Sequence, residues 1–253
     1  MNTVRDTILI YREQLKYQLR HKVGIIFGLV QPMLYLLLFG PLLSKLSGTP
    51  GLSDANSWQT FVPGMLVYLA LFGPGFAGFS VIADARFGVI ERMRVTPVSR
   101  LALLLGRVLR DLTTLLVQSV IICVVGFALG LRTSPGGLVI GIGIMLVLGA
   151  GLSALSLALG LMLKAEDQFA PLVTSAALPV LLLSGILLPM QLSPRWLDIV
   201  SHFNPLRYVV DAIRAVFANS WGMTTVGYGA AAAVVLAIVC ITIGTRTFAR
   251  ENA

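Results

Sequence analysis

Five arginines crowd into one short stretch of an otherwise apolar chain. "ADARFGVIERMRVTPVSRLALLLGR", residues 83–107, carries Arg86, Arg92, Arg94, Arg100 and Arg107 against only Asp84 and Glu91 as acids. Side chains of this kind at this density recognise charge; they do not break bonds. They can pair with another protein's acidic groups, lie against anionic headgroups, or fix which side of a membrane a loop occupies. Groups for bond-breaking chemistry are missing. His21 and His202 are the only histidines, and there is no H-E-x-x-H, no G-x-S-x-G and no metal-ligand spacing. G-x-x-x-x-G-K-[ST] is absent too, without even a Gly-Lys pair, so a nucleotide driving this protein must be bound by a separate chain.

A second chemistry-bearing pattern is aromatic. Phe27, Gln31, Tyr35 and Phe39 recur at i, i+4, i+8 and i+12, and Tyr68, Phe72, Phe76 and Phe79 at i, i+4, i+8 and i+11. Each set is one stripe on a helix. Such walls suit a large lipophilic or amphipathic compound, although an aromatic stripe also serves packing or lipid contact. Gln31 favours lining, because an amide at that depth prefers protein or water to lipid.

The elements that hold these groups are set by composition. The 253 residues are 57% hydrophobic and only 12% charged, with mean hydropathy +0.88. A soluble domain carries about 25% charged residues, so an all-α integral membrane protein is expected. Net charge is +8, but no basic groove is interleaved with aromatics, so no nucleic acid is expected as a partner. Cys123 and Cys240 lie inside apolar runs and read as buried thiols. Six stretches are long enough for a hydrocarbon core of about 30 Å: 23–43, 61–83, 101–131 (apolar from Leu112), 138–163, 169–190 and 226–245. Residues 23–43 read as a retained span and not as a cleaved leader. The domain organisation is therefore 1–22 as an interfacial helix and 23–253 as a six-helix transmembrane domain.

Charge sets the orientation. Segments 1–22, 84–111, 164–168 and 246–253 hold fourteen of the 19 Lys and Arg residues, and the opposite segments hold five. The positive-inside rule puts both termini and the 83–107 patch in the cytoplasm. Within 3–20, Val4, Ile8, Tyr11, Leu15 and Leu19 share a face beside a stripe of Arg5, Arg12, Lys16 and Arg20, the pattern of a helix lying on the membrane. A solvated helix ahead of the first span is the alternative.

Local signals divide the loops. Thr96-Pro97 reads as an N-cap and first-turn proline, so the third helix starts near Thr96. It then extends on the order of 20 Å below the hydrocarbon, with Arg107 and Asp111 spaced to pair. Residues 84–96 form a separate short helix. In the opposite segment, Ser193-Pro194 and Asn204-Pro205 start two short helices. One carries Trp196, Ile199, Val200 and Phe203. The other carries Leu206, Val209, Ile213 and Val216 or Phe217, with Arg207, Asp211 and Arg214 within pairing distance of one another. Together, 193–217 form a re-entrant hairpin, or else two helices lying flat on the outer surface. Pro32, Pro74 and Pro179 are positioned to kink three spans. Gly149/Ser153 and Ser156/Gly160 are small-xxx-small pairs for helix packing. Asp84, Asp111, Glu166 and Asp167 fall at or beyond the inner boundary, which removes the midplane charge an ion-coupled transporter usually needs.

These residues resemble a known family. Six spans, the amphipathic first helix, the loop "GVIERMRVTPVSR" and "NPLRYVVDAIRAVF" after span five are similar to permease subunits of type-2 ABC exporters. The closest resemblance is to the daunorubicin/doxorubicin-resistance group. Many relatives carry a Gly-Thr step after Glu-Arg, where this chain has Met93-Arg94. The resemblance implies a pair of permeases, identical or not, above two copies of an ABC ATP-binding subunit. The chain itself holds no cofactor and is not an enzyme; ATP and Mg are bound by the partner subunit. Phe87, Ile90, Glu91, Arg92, Arg94, Thr96 and Pro97 would form a coupling helix on the ATPase, with the first helix as a second contact. Spans one, two and five would line the path, adding Thr174 and Ser175, and Asn204, Pro205, Arg207 and Asp211 would belong to an outer gate. A lipophilic substrate would leave through the cytoplasmic (inner) membrane. A secondary transporter without an ATPase is the runner-up, ahead of a passive channel and a membrane enzyme.

Overall fold

A computed structural model describes residues 3–20, 23–46, 57–88, 99–187, 190 and 193–251. The regular structure among them is helical: α1 (Thr3–Arg20), α2 (Val23–Leu46), α3 (Ser57–Phe72), a 3-10 turn (Pro74–Phe76), α4 (Gly78–Arg86), α5 (Arg100–Ala128), α6 (Pro135–Leu163), α7 (Glu166–Leu183), α8 (Arg195–Ser201), α9 (Pro205–Phe217) and α10 (Met223–Glu251). Five stretches are long and apolar enough to cross a membrane: Gly24–Pro41, Trp58–Arg86 across the 3-10 turn, Leu101–Ala128, Pro135–Leu163 and Met223–Phe248. The expected span at 169–190 is instead the 18-residue α7, which opens on Glu166-Asp167 and stops at Leu183. Its polar start and its Thr174-Ser175 step lower its apolarity.

α6 is the central post, in contact with α3, α4, α5, α9 and α10. Small residues let backbones close on it. A Cβ on Gly151 would lie 2.7 Å from the Ala237 Cα, and one on Gly160 would lie 2.6 Å from the Gly78 carbonyl oxygen. Both small-xxx-small pairs thus sit in packed interfaces. Gly149 faces Leu115 on α5, and Ser156 and Gly160 face the 3-10 turn and α4. Lys164, with φ 53°, ends α6 in a left-handed turn that reverses the chain into α7.

Several boundaries differ from the sequence-based expectation. The second span is broken: "Gly73-Pro74-Gly75" interrupts it with a 3-10 turn. Pro74 has no N–H to continue the helix, and the flanking glycines leave no side chain to cover the gap. Ser156 takes over the turn's backbone groups, accepting from Gly78 N (2.9 Å) and donating to the Gly75 carbonyl (2.6 Å). By contrast, α2 and α7 run through Pro32 and Pro179 without a break. Residues 84–86 are the end of α4, not the start of a separate helix; Phe87 caps α4 and Gly88 turns the chain at φ 67°. The third long helix begins at Arg100, capped by the Ser99 side chain, which accepts from Ala102 N at 3.2 Å. Ser99 is an equally good cap and lies three residues nearer the apolar run than Thr96. At α8 the expected cap also fails: the Ser193 hydroxyl donates to the Met190 carbonyl (2.6 Å) and Pro194 stands at the N-cap without a side-chain bond.

Candidate functional site

The two aromatic stripes meet and become one column. Tyr35 on α2 packs edge-on against Tyr68 on α3 with centroids 5.7 Å apart. From Tyr68 the column continues to Phe72 (4.5 Å), Phe76 (6.1 Å) and Phe79 (5.9 Å), crossing the break in the span, and ends on Phe169 of α7 (4.9 Å). Phe39 extends it beyond Tyr35 (5.9 Å), and Gln31 donates to the Tyr35 hydroxyl (3.4 Å). The 3-10 turn keeps Phe76 and Phe79 on the side of Phe72, so the break does not end the stripe. Phe27 stands apart, 71% exposed on α2. Thr174 and Ser175 lie on the exposed face of α7. Phe169 closes one end of the column; the sequence reading did not single it out, because a lone Phe on another helix has no periodicity.

Beside the lower column lies a charge network. Arg107 is 3% exposed and pairs with Asp84 of α4, 2.7 Å from Nη2 to Oδ2. The expected Arg107–Asp111 pair does not form. Asp111 is taken by Arg110 (2.7 Å) and accepts from the Ser153 hydroxyl (2.6 Å). Arg110 also donates to Gln14 (3.0 Å) and Ser80 (3.4 Å). The network therefore ties α1, α4, α5 and α6 together. Each charge has a partner, which is the condition for burying it. Arg86 and Glu166 add a more exposed bridge (3.1 Å) between α4 and α7.

α1 is placed by this network. Thr7 is its buried residue, with Ile10, Tyr11 and Gln14 half-buried toward α5; of the apolar face expected to lie on the membrane, Tyr11 and Leu15 are half-buried. Ile10 and Tyr11 sit over Gly106, and the Tyr11 hydroxyl bonds Thr113 (2.9 Å). Val4, Ile8 and Leu19 stay exposed. Arg5, Arg12, Lys16 and Arg20 are exposed beside them, with Lys16 bridging Glu13 (3.1 Å). Of the expected coupling residues, Phe87 is 78% exposed. Ile90, Glu91, Arg92, Arg94, Thr96 and Pro97 lie outside the described residues.

At the opposite end, α8 and α9 form a hairpin. Asn204 does two jobs: its Oδ1 accepts from Leu206 N (3.1 Å), capping α9, and its Nδ2 donates to the Val180 carbonyl on α7 (2.8 Å). Pro205 follows as the first helical residue. Leu206, Val209, Ile213, Val216 and Phe217 are buried as one face. α8 leaves Trp196, Ile199 and Val200 exposed, and Phe203 in the turn after it is 85% exposed. Arg207 binds Asp198 (2.7 Å) and the Ser201 hydroxyl, with Asp211 more distant at 3.8 Å. Arg214 does not pair with them as expected. It donates to the carbonyls of Thr60 (3.0 Å), Gly185 (2.8 Å) and Ile186 (3.3 Å). Burial pushes the Asp211 carboxyl above its ordinary value, against the pull of Arg214 and Arg207. Burial pushes the Arg214 guanidinium down to about 10, against the support of Asp211, so Arg214 stays a cation at neutral pH.

The family model for the ABC-2 type transporter matches residues 6–218. The chain belongs to that family. It is 30% identical over 203 residues to the putative transport permease ycf38 of Cyanophora paradoxa, covering 79% of this chain and 70% of that one. It is 25% identical to the daunorubicin resistance ABC transporter permease protein DrrB1 of Streptomyces coeruleorubidus, covering 91% and 81%. It is 24% identical to the probable doxorubicin resistance ABC transporter permease protein DrrC of Mycobacterium tuberculosis, covering 83% and 76%. The resemblance to drug-resistance permeases therefore holds across most of the chain. The chain is a multi-pass membrane permease of an ABC transporter. Permeases of this family lack a nucleotide-binding domain of their own and imply an ABC ATP-binding partner.

Proposed function

We propose that this chain is the membrane subunit of an ATP-driven exporter that moves lipophilic or amphipathic compounds outward across the cytoplasmic membrane. Two permease copies, or one copy and a related chain, stand over two ATP-binding subunits that bind ATP and Mg. Both termini face the cytoplasm, and α7 is the sixth crossing.

The observation that carries this reading is the aromatic column from Phe39 to Phe169. It offers apolar, sequence-tolerant contacts at successive depths, while the charges beside it are paired and gathered toward the end that holds α1. The carboxylates beside the column, Asp84 and Asp111, are each engaged by an arginine and lie away from the bilayer midplane where ion coupling usually needs a charge, which favours an external motor. Phe27, Gln31, Tyr35, Tyr68, Phe72, Phe76, Phe79, Thr174 and Ser175 line the route between subunits. The segment from Phe87 to Pro97 seats on the ATPase. Its motion enters the bundle through the Asp84–Arg107 pair and reaches α1 through Arg110 and Gln14. Asn204, Pro205, Arg207 and Asp211 hold the outer hairpin, which dips into the outer leaflet and gates the exit. Arg5, Arg12, Lys16 and Arg20 rest against anionic headgroups.

The test is transport in inside-out vesicles carrying the permease and its ATPase. ATP-dependent accumulation of a lipophilic dye supports the reading. Accumulation driven by an imposed ion gradient without ATP contradicts it.

A further inference from the structure

A cavity of about 470 Å³ opens at the break in the second span, among α1, α2, the 3-10 turn and α5. That volume is in the range of small-molecule sites, roughly 300–1,000 Å³. Non-helical backbone at membrane depth persists where it is sheltered by protein or lines a cavity, and broken spans mark binding sites in other transporters. Phe72 and Phe76 form one wall.

Two acceptor oxygens in the lining are left over. Gln118 is 4% exposed. Its Nε2 donates to the Ile25 carbonyl (3.1 Å), which fixes the amide's orientation. Its Oε1 has no partner among the described residues. The Gln18 Oε1 is buried and equally unpartnered. A buried acceptor left unpaired is destabilising. The charged groups in the lining make no such demand, because Arg110 is held by Asp111, Gln14 and Ser80, and Asp111 also by Ser153. The wall is neutral overall and short of donors. Gly24 borders the same space, and a Cβ there would meet nothing within 4 Å.

We propose that this cavity binds the headgroup of an amphipathic molecule. The headgroup presents uncharged hydrogen-bond donors, hydroxyl or amide N–H, to Gln18 Oε1 and Gln118 Oε1, and the apolar part lies over Phe72 and Phe76. A phosphate or carboxylate head would set acceptor against acceptor, with Arg110 already spent on Asp111. The site stands on its geometry; that its occupant is cargo rests on the exporter reading.

The test uses the full permease in lipid nanodiscs, with its ATPase chain where that co-purifies, and without ATP. The probe is dodecyl glucoside bearing a diazirine on its tail, at low mole fraction, with cross-linked residues mapped by mass spectrometry. Labelling is expected within 18–28 and 72–80, displaced by unlabelled dodecyl glucoside but not by dodecyl phosphate. Gln18→Leu breaks no bond of the fold and is expected to weaken labelling about 3- to 10-fold, the loss of one neutral hydrogen bond. Gly24→Leu fills the space and is expected to remove labelling while the protein stays monodisperse. Labelling spread over lipid-facing residues, equal displacement by dodecyl phosphate or by tail-less glucose, or unchanged labelling in both variants would overturn the site. Binding without any ATP-dependent transport would keep the site and remove the exporter reading.

Discussion

Arg107 on α5 and Asp84 on α4 form a buried ion pair, 2.7 Å from Nη2 to Oδ2, just inside the segment read as the motor-docking loop. The pair joins the two helices that flank that loop. Removing one partner would strand a buried charge at a cost of about 3–5 kcal/mol, whereas replacing both with apolar residues is far milder. Asp84→Ala is therefore expected to lower the melting midpoint of the purified permease strongly. Asp84→Leu with Arg107→Met should recover most of that loss but not ATP-coupled transport. Equal stability of Asp84→Ala and the unmodified chain would show that the pair holds nothing.

The break in the second span makes a second prediction. Ser156 bridges Gly78 N and the Gly75 carbonyl, and Gly160 lies against Gly78. Ser156→Ala leaves two backbone groups without that partner, a loss of about 1–3 kcal/mol. Gly160→Val cannot fit without moving α4 from α6, and overpacking of this kind typically costs about 1–3 kcal/mol. Thermal unfolding in nanodiscs reads both. If Gly160→Val melts with the unmodified protein, α4 and α6 do not approach as described.

Phe72→Ala and Phe76→Ala test the column. Each removes one ring from the middle of a run whose neighbours are 4.5–6.1 Å away. Both variants are expected to fold and to change the spectrum of compounds that stimulate ATP hydrolysis. An unchanged spectrum in both would make the column packing alone.

At the other end, Asn204→Ala loses the α9 cap and the tie to Val180. The cap alone is worth about 1 kcal/mol, with a range of 0.5–2. The expected phenotype is slowed transport with ATPase docking intact, read by co-purification and dye efflux. Loss of ATPase binding in this variant would contradict a role confined to the exit side.

These residues also show what could be read in advance. Asn204-Pro205 was legible because a cap and a first-turn proline act within two residues of each other. Pro74 is legible as a place to bend the span for the same local reason, but that it ends one helix where Pro32 and Pro179 do not is not. The charge pairs were not legible. Arg107 and Asp111 have the right spacing, yet Arg110 and Ser153 claim Asp111, and Arg107 turns to Asp84 across the loop. Which partner wins is decided by how helices pack, and packing leaves no local signature. The same holds for α1. Val4, Ile8 and Leu19 of its apolar stripe are exposed, but the contacts that fix it, Tyr11 to Thr113 and Gln14 to Arg110, are polar bonds to another helix that no spacing within α1 reveals. The leftover oxygen of Gln118 was equally hidden, since only the fold shows that its amide nitrogen is spent on Ile25.

The most direct test of the central claim is to extract this chain gently from its native membrane and identify what accompanies it, beside a Glu91→Arg variant. The account predicts a stoichiometric P-loop ATPase with the unmodified chain, its loss from the variant, and ATP-dependent transport that disappears with it. A chain that purifies alone, in vesicles indifferent to ATP, would contradict the account.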